Sequence, residues 1–196
     1  YDLATGLVDE LETLSHSLDA VSMSKFRYLE GNILFNIDCG DAEDRYKSAL
    51  EYLAVSDSSA ENRLRAFHSL SRLGMICNKG GRFEEAEAYL YEALPYLDEV
   101  PEEQYVYFTA ERAGVFNYLG YLYDGAEDYA RAEECYVRAL QIREKLRTYS
   151  VNVEDHYATT LGNLAFVYDS TGRFEESDRA FEDTIAIQKK LAFSNP

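Results

Sequence analysis

Apolar side chains recur along the chain at intervals of three and four residues, the spacing that places side chains on one face of an α-helix. The first such stripe is formed by Leu3, Leu7, Leu11, Leu14 and Leu18. Later stripes are separated by short polar segments rich in Gly, Ser and Asp, and only three prolines interrupt the whole sequence. The pattern predicts an all-α protein built from consecutive amphipathic helices.

Three segments align without a gap and define an internal repeat. Each begins with a leucine followed by a small residue, and these leucines, Leu73, Leu119 and Leu164, lie 46 and 45 residues apart. An aromatic residue comes ten positions after each leucine, and a small, a large and a small residue then follow at helical spacing. These are Ala86, Leu90 and Ala93, then Ala132, Tyr136 and Ala139, then Ser177, Phe181 and Thr184. Each copy is predicted to be an antiparallel helix hairpin.

The small residues predict where the two helices of each hairpin meet, because side chains without bulk let helices approach closely. The expected contacts are Gly74 with Ala86, Gly120 with Ala132, and Ala165 with Ser177. A weaker copy precedes these three, with Leu29 aligned to the first leucine and Glu30 in place of the small residue. This pair of helices is therefore expected to pack less closely.

The Leu-Gly, Tyr, Ala, Phe and Ala positions of these copies resemble the signature of the tetratricopeptide repeat. The period exceeds the usual length of about 34 residues. The endings QIREKL (Gln141 to Leu146) and AIQKKL (Ala186 to Leu191) are similar to those of the extended, kinesin-light-chain type of repeat. The resemblance implies a right-handed α–α superhelix, a solenoid of antiparallel helix pairs, over 1–196. Its expected parts are the second helix of a truncated repeat (1–20), a weak repeat (21–55) and repeats over 60–100, 104–148 and 154–193.

Charge and cysteine content narrow the classes of partner and compartment. The chain has 19 Lys and Arg against 36 Asp and Glu, a net charge of −17. Such a surface repels nucleic acids and anionic membranes, so we predict a protein or peptide partner that is basic or neutral. The three cysteines, Cys39, Cys77 and Cys135, have no paired or ligand-like spacing. They are interpreted as buried free thiols, which favours a cytoplasmic protein.

The sequence contains no motif of the common nucleotide-binding, metalloprotease or serine-hydrolase sites. Its three histidines fall in different copies. Adjacent glutamates such as Glu84 and Glu85 point about 100° apart on a helix, which is typical of a solvated face. We therefore predict that the protein is not an enzyme and holds no metal or cofactor.

In a solenoid of helix pairs, the first helix of each pair lines a concave groove. Residues about two positions from the core positions are expected to face it. The predicted peptide-binding residues are Arg27, Tyr28, His68, Ser71, Arg72, Met75, Asn117, Tyr118, Tyr121, Asn163 and Phe166, and Gly31, Leu34 and Thr159 fall on the same faces. Asparagine amides bond both N–H and C=O groups of a peptide, and the resemblance implies this role for Asn117 and Asn163.

These observations favour a non-catalytic scaffold that binds a partner peptide or protein in the groove. A second hypothesis is a sensory module of a larger signalling or transcription-regulating protein, because the chain begins within the repeat array. A secretion-type chaperone is a third, and the 45-residue period speaks against it. Self-association through exposed terminal helices, by way of the stripe from Leu3 to Leu18, is a structural alternative.

Overall fold

The computed structural model describes residues 6, 18–37, 40–56, 59–98, 105–147 and 151–194. Over these residues the chain forms eight α-helices: α1 (Ala20–Asn36), α2 (Ala42–Leu53), α3 (Ala60–Lys79), α4 (Phe83–Ala93), α5 (Tyr105–Gly125), α6 (Tyr129–Leu146), α7 (Val151–Ser170) and α8 (Phe174–Ser194). The predicted all-α fold is confirmed. Of the stripe predicted over 1–20, only the exposed Leu18 lies within the described residues.

The helices pair as predicted, α1 with α2, α3 with α4, α5 with α6, and α7 with α8. We call α1, α3, α5 and α7 the first helices and their partners the second helices. The chain divides into two compact units, Tyr1–Asp98 (unit 1) and Glu99–Pro196 (unit 2), with two of these hairpins in each.

Polar residues fix the start of several helices. The carboxylate of Asp19 accepts a hydrogen bond from the backbone N–H of Ser22 at 2.8 Å where α1 begins. Ser59 and Asp128 cap α3 and α6 in the same way. Because the first N–H groups of a helix have no partner within it, these side-chain acceptors stabilise each start.

Three hairpin turns place one residue in the left-handed region at the same position of the repeat. This residue is Gly81 in the second hairpin (φ 73°), Glu127 in the third (φ 59°) and Gly172 in the fourth (φ 76°). Glycine adopts this conformation without a steric penalty, whereas a residue with a Cβ does not. The α5–α6 turn therefore contains a strained residue that its two counterparts avoid.

One second helix ends just before Pro95. The helix α4 stops at Ala93, and a short 3₁₀ helix, Leu94–Leu97, follows with the proline in its first turn. Proline lacks the N–H that a continuing helix requires.

Two glycines on the first helices lie where even a Cβ would be too close to the second helix. A Cβ on Gly120 would lie 2.6 Å from the Tyr136 ring, and a Cβ on Gly74 would lie 2.9 Å from the Leu90 side chain. The glycines thus receive the large residues of the second helices. The predicted contact of Gly74 with Ala86 is confirmed, because the Cβ on Gly74 would also lie 3.3 Å from the Ala86 carbonyl oxygen. The three atoms nearest to a Cβ on Gly120 all belong to Tyr136, and the contact of Gly120 with Ala132 stays a prediction. The predicted contact of Ala165 with Ser177 is confirmed, because the Ser177 hydroxyl donates to the Ala165 carbonyl at 2.9 Å.

The weak first copy packs as closely as the others, in a register one residue later than expected. A Cβ on Gly31 would lie 2.9 Å from the Tyr46 ring, so Gly31 corresponds to Gly74. Glu30 takes the buried position of the first leucine with 1% exposure, whereas Leu29 is 50% exposed. The expectations that Glu30 replaces the small residue and loosens the pair are wrong. Gly31 and Leu34 are packing residues and do not line a groove.

The apolar repeat positions form the core of each unit. Leu34, Ala42, Tyr46 and Leu73 pack as one cluster in unit 1. In unit 2 the most deeply buried large side chains include Phe108, Leu119, Tyr136, Leu146 and Val167. Cys77 and Cys135 are buried free thiols, as predicted, and Cys39 lies outside the described residues.

Equivalent ion pairs link the second helices within each unit. Arg82, just before α4, donates to the Glu43 carboxylate on α2 at 3.0 and 2.5 Å. Arg173, just before α8, donates to the Glu133 carboxylate on α6 at 2.8 and 2.7 Å. The Arg82 guanidinium lowers the pKa of Glu43 to about 2.

Candidate functional site

The exposed side of α1 and α3, the unit 1 surface, brings several predicted residues together. The Tyr28 and His68 rings stack with centroids 6.4 Å apart and planes inclined by 30°. Burial is the main cause that lowers the pKa of His68, and the Arg72 cation lowers it further. The imidazole is therefore uncharged at neutral pH.

Arg72 joins the two first helices of unit 1. Its guanidinium carbon lies 4.7 Å from the centroid of the Phe35 ring on α1, a cation–π contact. One terminal nitrogen lies 3.7 Å from the Met75 sulfur. Among the described residues, Arg72 has no carboxylate partner.

Two predicted groove residues of unit 1 are largely enclosed. The Arg27 side chain is 13% exposed and donates to Glu30 at 2.8 Å, and Arg45 approaches the same carboxylate at 3.8 Å. The Ser71 hydroxyl is buried, with no hydrogen-bond acceptor or donor in the described parts of the chain.

The corrected register also identifies surface residues that the sequence pattern missed. Lys25 and Leu29 occupy the positions on α1 that His68 and Arg72 occupy on α3. The Lys25 side chain is 62% exposed, and its ammonium nitrogen lies 3.9 Å from a carboxylate oxygen of the exposed Glu61. Aligning Gly31 with Gly74 in the sequence identifies Lys25 and Leu29 as surface residues.

The unit 2 surface, the exposed side of α5 and α7, is aromatic. Tyr121 and Phe166 occupy the same position in these two successive first helices and are 56% and 59% exposed. The Tyr118 ring lies 6.1 Å from that of Tyr121, and Phe166 meets Phe181 edge to face at 5.0 Å.

The two predicted asparagines of unit 2 lie together. The Asn117 side-chain oxygen accepts a hydrogen bond from the hydroxyl of Thr160 at 2.7 Å, and the Asn163 amide nitrogen approaches the same oxygen at 3.5 Å. Thr160 is fully buried and was not predicted from the sequence. These contacts join α5 to α7 and hold the asparagine amides in fixed orientations.

Unit 1 also has a cavity of about 320 Å³, formed where α2 ends, α3 begins and the 3₁₀ helix passes. It is lined by Leu50, Leu53, Ala54, Ser56, Asn62, Arg63, Ala66, Glu92 and Tyr96. Two of its polar side chains serve the fold, because the Ser56 hydroxyl donates to the Tyr52 carbonyl and Arg63 donates to the Tyr96 carbonyl.

Among the described residues, no group of three or more His, Cys, Asp and Glu side chains is arranged to hold a metal ion. None of the helices in the described part of the chain combines the length and the apolar character that crossing a membrane requires.

The chain matches protein-family models and has a fold similar to that of several solved structures. Two family models, both described as tetratricopeptide repeat, match residues 67–94 and 111–190, which together make up more than half of the sequence. No curated protein matches the sequence significantly.

The solved structures with a similar fold include BtubC (BKLC) from P. vanneervenii, which is 25% identical with a TM-score of 0.81. That match covers 100% of this chain and 76% of BtubC. MamA is 17% identical with a TM-score of 0.68, over 96% of this chain and 91% of MamA. A putative kinesin light chain from Podosopora anserina, with nearly identical TPR-like repeats, is 17% identical with a TM-score of 0.70, over 95% and 86% of the two chains.

Proposed function

Because the chain belongs to the tetratricopeptide repeat proteins, whose repeats support protein–protein interaction, we propose that it is a non-catalytic scaffold that binds a partner peptide or protein on its first helices. The buried free thiols Cys77 and Cys135 suit a reducing compartment, and we place the protein in the cytoplasm.

The observation that carries this proposal is the exposure of Tyr121 and Phe166 at matching positions of α5 and α7. Aromatic rings are enriched at protein interfaces, because each buries a large apolar area while losing little conformational freedom. Two rings in register on neighbouring helices offer a partner two anchor points on one surface.

The asparagine pair supplies hydrogen bonds beside these rings. The Asn117 oxygen is engaged by Thr160 and Asn163, whereas its amide nitrogen has no hydrogen-bond partner within the described residues. In our proposal this N–H group donates to a carbonyl of the partner. Because Thr160 already holds the amide in place, binding costs little side-chain entropy.

A displayed peptide library selected against the whole protein tests the proposal. The selected peptides are then measured against the double variant Tyr121→Ser and Phe166→Ser. Removal of both anchors should weaken binding by about tenfold or more. Circular dichroism of both proteins establishes that the variant is folded.

The matched control removes exposed apolar side chains from a second helix of the same unit. Phe174 and Ile185 on α8 are 63% and 49% exposed, and Phe174→Ser with Ile185→Ser should leave the affinity unchanged. Equal affinity of the wild type and the Tyr121/Phe166 variant would place the binding surface elsewhere.

A further inference from the structure

The first helices of the two units carry opposite charges. Helices α1 and α3 together contain six Lys and Arg against two Asp and Glu, a net charge of +4. Helices α5 and α7 contain one Arg against five Asp and Glu, a net charge of −4. The unit 1 first helices are thus positive within a chain whose net charge is −17.

The same contrast holds for the exposed positions. On α7, residues Asp155, Thr159, Asn163, Phe166 and Asp169 recur at helical spacing, and this helix contains no Lys or Arg. The carboxylates of Asp155 and Asp169 form no ion pair with other described residues. On the unit 1 surface, the corresponding positions include Lys25 and Arg72.

Arg72 is positioned as an anion receptor. The Phe35 ring supports one face of its guanidinium group at 4.7 Å, and Met75 lies beside it. The side chain is half-buried, so water screens its charge less than it screens a fully exposed cation. A guanidinium group held in this way can donate two parallel hydrogen bonds to one carboxylate.

We propose that the unit 1 surface binds an acidic segment of a partner protein, with Arg72 as the donor to an Asp or Glu carboxylate. On α1, Leu29 occupies the repeat position of Arg72 and offers an exposed apolar side chain to the same segment, and Lys25 adds a second positive charge. The inference rests on the proposed scaffold function and adds the chemistry of the ligand. The basic or neutral partner expected from the net charge then applies to the unit 2 surface alone.

Fluorescence anisotropy with labelled probe peptides tests this proposal on the full chain. The acidic probe alternates Glu with Leu, and its counterparts replace Glu by Lys or by Ser. The acidic probe should bind the wild type, and Arg72→Gln should reduce its affinity by about tenfold, the loss of one charge-assisted contact. Arg72→Lys should retain part of the affinity, because the charge remains.

The control variant is Arg179→Gln, which changes the net charge equally on a second helix of unit 2, at a side chain that is 72% exposed. An equal loss of affinity in both variants would overturn the proposal, because the net charge alone would then explain the binding. Thermal unfolding of Arg72→Gln separates loss of the site from loss of the fold, and Arg72→Lys tests the site if Arg72→Gln unfolds.

The probes also separate this proposal from the scaffold function. If the Lys or Ser probe binds at Tyr121 and Phe166 while the acidic probe does not bind, the unit 1 assignment fails and the scaffold function stands. If library selection yields no binder and none of the three probes binds, both fail.

Discussion

The Tyr136 ring lies so close to Gly120 that a Cβ on residue 120 would come within 2.6 Å of a ring carbon. Tyr136 is fully buried, so other atoms of the core surround its ring. Gly120→Ala should therefore lower the free energy of unfolding by about 1–3 kcal/mol through overpacking, despite the better helix propensity of alanine. Chemical denaturation measures the change.

Gly114 on the same helix is the matched control for this substitution. A Cβ there would meet no atom within 4 Å, so Gly114→Ala should raise the free energy of unfolding by up to about 1 kcal/mol. If the two alanine variants were equally stable, the hairpin packing described for α5 and α6 would be incorrect.

Tyr46 and Tyr136 occupy the same repeat position and should respond differently to loss of their hydroxyl groups. The Tyr46 hydroxyl donates to the Asn32 side-chain oxygen at 2.8 Å, whereas that of Tyr136 is buried without a hydrogen-bond partner in the described structure. Tyr46→Phe should cost about 1 kcal/mol, and Tyr136→Phe should be neutral or stabilising. Thermal unfolding of the two variants gives the comparison, and a greater loss in Tyr136→Phe would contradict it.

Glu127 is the residue of the α5–α6 turn that bears a Cβ at a left-handed position, with φ 59°. Glu127→Gly should stabilise the protein by about 1 kcal/mol, because relief of the steric penalty exceeds the entropy of the added glycine. The reciprocal control is Gly172→Ala, which should destabilise by a similar amount. Both are measured by denaturant unfolding, and a destabilised Glu127→Gly would show that the turn is unstrained.

Much of the fold was predictable because its determinants are local. The alternation of small and large residues at helical spacing identified the hairpins, and short segments rich in Gly, Ser and Asp marked the breaks between helices. The error in the first copy has a physical cause. Glu30 is buried at an apolar position because Arg27 and Arg45 lie beside it, and Arg45 belongs to the following helix. A pattern based on side-chain size does not detect a buried position where an acidic side chain is neutralised by neighbouring arginines.

The surface residues were predictable in part. Helical periodicity placed Tyr121 and Phe166 outside the core, and both are exposed. The hydrogen bond from Thr160 to Asn117 joins residues 43 positions apart on different helices, so their spacing within a helix gives no sign of it. The contact of Arg72 with Phe35 was missed for the same reason.

The stability of unit 1 should fall in acid through Glu43. The hydrogen bond from Arg82 is the main cause that lowers the pKa of this carboxyl from 4.5 to about 2. A depressed pKa in the folded state stabilises the protein above pH 4.5, and this contribution is lost as the pH falls from 4.5 towards 2. Glu43→Gln should therefore show a smaller decrease in stability over this interval. The control is Glu175→Gln, at a side chain that is 95% exposed, and its stability should depend on pH as that of the wild type does. If the free energy of unfolding fell equally with pH in the wild type and in both variants, Glu43 would not have this role.

His68 reports the Arg72 charge directly. Burial and the Arg72 cation both disfavour the charged imidazolium, and the Tyr28 and Phe67 rings beside it carry no compensating negative charge at neutral pH. Arg72→Gln should therefore raise the pKa of His68 towards 6.5, while burial still holds it below that value. An NMR titration of the His68 ring protons in the wild type and in Arg72→Gln measures the shift. Arg179→Gln should leave the His68 titration unchanged, because the Arg179 side chain is 72% exposed and water screens its charge. A His68 pKa that is the same in all three proteins would mean that Arg72 exerts no electrostatic effect on this surface.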